Sequence, residues 1–123
     1  MWIKCSLHRI FTEKKIIEMA KTALVILAEG AEEMETVITV DVLRRAEIDV
    51  TVAGLTGPDT VKCSRGVFVK PDVALSEAAS KQYDIIILPG GLKGAQAIAD
   101  VNIVSHVIAM SCNFSFFQVC QLR

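Results

Sequence analysis

Three features of this 123-residue chain have residue types and spacing suited to chemistry. The first is Glu35, which closes an acidic set with Glu32 and Glu33 just after a short apolar run. The second is the Gly90-Gly91 pair, which ends another apolar run at residues 83–88. The third is the group of four cysteines, Cys5, Cys63, Cys112 and Cys120. A glutamate can hold a proton for a nucleophile or share one with it. Glycines carry no side chain, so their backbone N–H groups can approach a substrate oxygen. A thiolate would supply the nucleophile. Each feature also has a plainer reading. An acidic residue in a first helical turn interacts favourably with the helix dipole. Gly-Gly is a common strand-to-helix turn, and a cysteine within a strand is most often a small buried apolar group. His8 and His106 are isolated and read as solvated or packed side chains.

The elements that would position these residues follow from hydrophobic periodicity. Residues 22–28 (TALVILA) form a continuous apolar run, as expected of a strand buried on both faces of a parallel sheet. A helix follows, with Glu32, Glu33 and Glu35 at its start and Arg44-Arg45 near its end, both on the favourable side of the dipole. Met34, Val37, Ile38 and Val42 give it an apolar stripe. Residues 48–53 alternate and are β-branched, which predicts a second strand. Residues 60–70 read as two short strands around Ser64-Arg65-Gly66, with Cys63 in a strand, and residues 75–80 as a short helix. Residues 83–88 (YDIIIL) are the clearest buried strand, and helices are expected over 94–99 and 103–110. This alternation is the α/β pattern. In such sheets ligands sit beyond the carboxyl ends of the strands. The loop leading to Glu35 and the loop at Gly90-Gly91 both lie at such ends and would open onto one crevice if their strands are neighbours.

Composition narrows the function further. The chain is 52% hydrophobic with a net charge of −1, which suits one compact domain and predicts neither a nucleic-acid nor a membrane partner. No apolar run approaches the ~20 residues of a membrane span. The cysteines form no C-x-x-C pair and accompany no histidine cluster, so no metal site is expected and the thiols read as reduced, in an intracellular compartment. Residues 1–19 are basic and partly amphipathic. They read as an exposed helical tail or as sequence before a second initiator at Met19, in preference to a mitochondrial leader, because Glu13 and Glu18 depart from the acid-poor pattern of transit peptides. Residues 111–123 hold three of the five phenylalanines and no turn signal. Nucleotide binding fails on residue identity. A dinucleotide fingerprint needs glycine where Pro89 stands, and a P-loop needs Gly-Lys-Ser/Thr where the chain reads Gly94-Ala95-Gln96.

Residues 23–46 (ALVILAEGAEEMETVITVDVLRRA), 50–55 (VTVAGL), 61–65 (VKCSR) and 83–96 (YDIIILPGGLKGAQ) resemble the ThiJ/PfpI superfamily of protein deglycases over about residues 20–108. The GAEEMET and LPGG strings, in this order and on these elements, are specific. The resemblance implies a flavodoxin-like, doubly wound parallel sheet with helices on both faces. It also implies a homodimer, or a heterodimer with a full-length relative. The implied roles are oxidative-stress protection, chaperone activity, and glyoxalase or deglycase chemistry on small reactive carbonyls or glycated protein, with no metal or organic cofactor. The implied location is cytoplasmic, mitochondrial or nuclear.

By the same resemblance, Glu35 matches the acid that hydrogen-bonds the family's reactive cysteine, and Gly90 and Gly91 match the backbone amides on the oxyanion side. Cys63 matches a second, oxidisable cysteine near the dimer interface, and Arg65 an arginine beside it. The family nucleophile lies on a small-residue elbow between a strand and a helix. Cys120 stands 29 residues after Gly91, in the context QVCQLR, without that elbow. No nucleophile is therefore assigned. The resulting expectation is an extension at 1–19, a partial domain at 20–110 truncated after its first half, and a divergent tail at 111–123. Such a chain would lack its catalytic cysteine and have marginal stability.

Overall fold

A computed structural model describes residues 21–110 and the backbone of residues 115–118. In chain order the elements are β1 (Thr22–Leu27), α1 (Glu33–Arg45), β2 (Asp49–Gly54), β3 (Val61–Lys62), β4 (Phe68–Val69) and β5 (Val73–Ala74). They continue with α2 (Leu75–Ala78), β6 (Ile85–Leu88), α3 (Leu92–Ala99), α4 (Asn102–Met110) and β7 (Ser115–Gln118). Five strands form one sheet in the order β5-β2-β1-β6-β7, and every pairing in it is parallel. β3 and β4 form a separate antiparallel hairpin.

The continuous apolar runs behave as a parallel sheet requires, because β1 is covered on both faces. Leu24, Ile26 and Ala28 face a core shared with Leu75 of α2, Ile98 of α3 and Val104 and Val107 of α4. Ala23, Val25 and Leu27 face the opposite core, where Val40 and Leu43 of α1 and Val61 and Cys63 beside the hairpin pack. Helices on both faces of this strand order give a flavodoxin-like α/β fold.

The apolar stripe of α1 does not face the core. Met34, Val37, Ile38 and Val42 are all more than half exposed. The inward positions are Glu33, Thr36, Val40 and Leu43, which follow the 3–4 spacing of a single helical face. The mixed character of that inner face, with an acid and a threonine, is why the stripe was easier to see on the outer side. The helix ends in a Schellman motif, with Ile48 N donating to Leu43 O and Glu47 N donating to Arg44 O, both at 3.1 Å. Glu47 occupies the left-handed position at φ 60°, where glycine is the usual residue.

Two elements were not anticipated from the sequence. β5 is only two residues long, too short to show alternation. β7 pairs with β6 in register from Ile85↔Ser115 to Leu88↔Gln118, within the stretch read as a divergent tail. Cys112 and Cys120 lie outside the described residues, as do Cys5 and the basic segment before residue 21.

Candidate functional site

The strand order places β2 on one side of β1 and β6 on the other, so the direction of winding reverses at the β1/β6 boundary. A crevice opens beyond the carboxyl ends at such a reversal. The residues leaving β1 and β6 meet there. Glu32 N donates to Gly90 O at 2.8 Å, and Gly90 N donates to Glu35 Oε2 at 2.5 Å. The acid and the first glycine expected from the sequence are thus brought together by direct contact. Gly91 sits between them and the N-terminus of α3, with its carbonyl accepting from Ala95 N at 2.8 Å.

Close approach explains the glycine at position 91. Its φ of 101° suits glycine, and an added Cβ would collide with the Gly30 carbonyl oxygen and lie 2.8 Å from Glu32 N. Gly94, one turn later, would place a Cβ 2.9 Å from the Ala31 backbone. The two loops therefore touch backbone to backbone, and side chains at these positions would push them apart.

The Glu35–Gly90 contact changes what each amide can do. Gly90 N–H is already used by the carboxylate. Among the described residues Gly91 N–H has no protein acceptor, so of the two glycine amides it is the one left unused.

The β3–β4 hairpin forms a second wall. Gly30 N donates to Lys62 O and Ser64 N to Ala31 O, each at 2.9 Å. A cavity of about 530 Å³ lies between this wall and the glycine loop, lined by residues that include Glu29, Glu32, Cys63, Arg65, Gly91 and Lys93. Cys63, Arg65 and Gly91 therefore share one cavity, whereas Glu35 and Gly90 are not part of its lining.

Cys63 falls just past β3 and is 3% exposed, with its sulfur free. Burial first, and then the negative charges of Glu33 and Glu32, push its thiol above the usual cysteine range. That environment is the opposite of the electropositive setting that activates a thiolate.

The acids next to Glu35 share a partner that local sequence did not reveal. Ser64 Oγ lies 2.8 Å from Glu32 Oε2 and 2.7 Å from Glu33 Oε2. Arg65 N donates to Glu33 Oε1 at 2.8 Å. Burial of Glu33 works to raise its carboxyl, but hydrogen bonds from Ser64, its own amide, Arg65 and Val67 outweigh this and hold it below the usual range. Ser64 is 31 and 32 residues from these acids, so no helical or strand spacing could have paired them. Among the described residues no group of three or more His, Cys, Asp or Glu side chains is arranged to hold a metal ion, and no helix is long and apolar enough to cross a membrane.

A doubly wound parallel sheet, with an acid held on a glycine amide where the strand order reverses, defines a flavodoxin-like α/β protein with a switch-point crevice. More narrowly, the chain belongs to the DJ-1/PfpI family, whose model matches residues 21–118. Over 90 residues it is 54% identical to Protein dj-1beta of Drosophila melanogaster, covering 73% of this chain and 48% of that protein. The crystal structure of the Drosophila protein superimposes with a TM-score of 0.79 at 49% identity, over 81% of this chain and 55% of that one. It is 57% identical over 89 residues to the Parkinson disease protein 7 homolog of Danio rerio, covering 72% of this chain and 47% of the relative. It is also 40% identical over 89 residues to the Caenorhabditis elegans protein named glutathione-independent glyoxalase DJR-1.2, covering 72% and 47%. The chain spans about half the length of these curated relatives.

Proposed function

We propose that this chain supplies the acid-and-amide part of a cysteine-dependent site for small reactive carbonyls or glycated protein, of glyoxalase or deglycase type, and that its 123 residues alone do not turn such substrates over. The observation that carries this reading is the Glu35–Gly90 hydrogen bond at the β1/β6 reversal. The name of the C. elegans relative points to the same carbonyl chemistry. A thiolate presented beside this contact would attack the carbonyl carbon, and the carbonyl π electrons would move to oxygen. Gly91 N–H would stabilise that oxygen, and Glu35, having taken the proton the thiol lost on becoming thiolate, would pass it to that oxygen.

Cys63 does not take the nucleophile role, because its thiol is buried and faces two carboxylates. Its oxidation would follow opening of the hairpin. Cys120 is not assigned the role either, since its flanking residues lack the small-residue elbow. A cytoplasmic location accords with this chemistry, as do mitochondrial and nuclear ones.

Methylglyoxal consumption by the purified chain tests the proposal, with Glu35→Gln and Cys120→Ser as comparisons. No consumption above buffer is expected from any of the three. Turnover by the parent chain that is lost in both variants would overturn it.

One observation favours a second reading, a non-catalytic module that dimerises with itself or with a full-length relative. The outer face of α1 exposes Met34, Val37, Ile38 and Val42 together. An exposed contiguous apolar face of this kind is suited to a protein partner. Arg65, exposed on the hairpin, would lie near that interface.

A further inference from the structure

We infer that the cavity between the β3–β4 hairpin and the start of α3 is a site for a small oxyanion, a carboxylate or a phosphate group, held by Lys62, Arg65, Lys93 and the Gly91 amide. The way the chain pairs its charges points there first. Lys21, Arg44 and Arg45 each pair with an aspartate. The side chains of Lys62, Arg65 and Lys93 pair with no acid among the described residues, yet all three line this one cavity of about 530 Å³. Like charges that converge in this way repel one another until a counter-ion sits between them.

α3 adds to the imbalance. Its first turn holds Lys93 and no acid, which sets a cation against the positive end of the helix. The first-turn amides have no intrahelical acceptor, and Gly91 before them has no side chain to cap them. An anion seated on these amides would cap the helix and neutralise Lys93 together. Gly30 shapes the space between the cations. A Cβ there would stand 2.6 Å from Lys93 Cβ and 3.5 Å from Lys93 Cδ, so the lysine stem lies across this glycine. Gly30 N also donates to Lys62 O at 2.9 Å, which puts Lys62 on the other flank of the same residue. The two lysines thus flank a floor of bare backbone, with the Gly91 amide at its edge.

Glu29 and Glu32 also line the cavity, and neither forms an ion pair with these cations. The Glu32 carboxyl lies 2.8 Å from Ser64 Oγ, on the hairpin side. Glu29 lies on the β1–α1 loop. Three cations against two acids leave the cavity net positive, and the unused Gly91 N–H adds a donor. In the proposed carbonyl site this favours an oxo acid or a phosphorylated carbonyl over a neutral dicarbonyl. That consequence rests on the proposed chemistry, whereas the anion binding does not.

The test is titration of the isotope-labelled full chain with inorganic phosphate, with acetate and with neutral acetone at constant ionic strength, read as amide shifts in NMR. Saturable shifts centred on Gly91, Leu92 and Lys93 are expected with one or both anions, and none with acetone. The tighter anion names the group, phosphate or carboxylate. Lys62→Gln and Lys93→Gln should each weaken binding about threefold, as for exposed ion pairs, and about tenfold when combined. Lys81→Gln, which removes an exposed lysine outside the cavity, should leave binding unchanged. The site is refuted if neither anion gives a saturable shift at these amides, if acetone gives the same one, or if Lys81→Gln weakens binding as much as Lys93→Gln. Binding is read without turnover, so a chain that binds an anion and consumes no carbonyl compound upholds the site whatever becomes of the carbonyl reading.

Discussion

Single residues fix the crevice and the pH response of the fold, and three of them set sharp expectations. Gly91 combines a positive φ with backbone on every side of its missing Cβ. Gly91→Ala should destabilise the chain by about 1–3 kcal/mol from backbone strain alone, and denaturant unfolding measures it. A variant as stable as the parent would mean that the loops are not in contact. The acids set the pH response. Asp84 accepts the Thr22 amide and hydroxyl and lies near Lys21, and the Thr22 amide is the main reason its carboxyl is held below the usual range. Glu33 is lowered by its ring of donors against the opposing effect of burial. A carboxyl lowered in the folded state stabilises the fold above its unfolded value, and that stabilisation disappears as pH falls through the folded one. Unfolding titrations should therefore show stability falling on the acid side. Replacing both acids with their amides should flatten that fall, and an unchanged acid limb would contradict the assignment. Glu35, Gly90 and Gly91 were legible in the sequence because each follows an apolar run that ends in a turn. The partnership of Ser64 with Glu32 and Glu33 was not, since it is made by the hairpin folding across the start of α1.

At the scale of elements, β1 and β6 were readable from their unbroken apolar runs, which only a doubly covered strand tolerates. α1 was readable as a helix but not in its orientation. Its outer face is the more apolar, and the inner face buries Glu33 and Thr36, the latter satisfied by donating to Glu32 O at 2.9 Å. Periodicity cannot tell a core stripe from an interface stripe when both faces carry apolar groups. The two-residue β5 and the late strand β7 were missed for a related reason. A short edge strand is placed by the one neighbour it pairs with more than by its own pattern. The end of α1 carries a strain that can be relieved. Glu47 sits in the left-handed region, at a cost of about 1–2 kcal/mol relative to a residue without Cβ. Glu47→Gly should raise stability by about 1 kcal/mol, seen as a higher denaturant midpoint at constant slope. A loss of stability would mean that the Schellman geometry is not present in solution.

For the whole molecule, the sheet order follows from the crossovers, and the site follows from the sheet order. β1 is the strand at which the winding reverses, so its exit loop and that of β6 face each other whatever their sequences. The sequence supplied the residues, and the topology supplied their meeting. The exposed face of α1 is the molecule's main unsatisfied apolar surface among the described residues. Ile38→Glu with Met34→Glu should shift the chain toward monomer in sedimentation, with little change in unfolding midpoint, because neither side chain lies in the core. An unchanged association state would remove the support for the dimerising module.

The account rests on one contact, that between the Glu35 carboxylate and the Gly90 amide. The Gly90 amide proton, observed by NMR in the parent and in Glu35→Ala, tests it most directly. The account predicts a strongly downfield, exchange-protected proton in the parent that moves upfield and exchanges freely in the variant. A Gly90 proton that exchanges as fast in the parent as in the variant would contradict it.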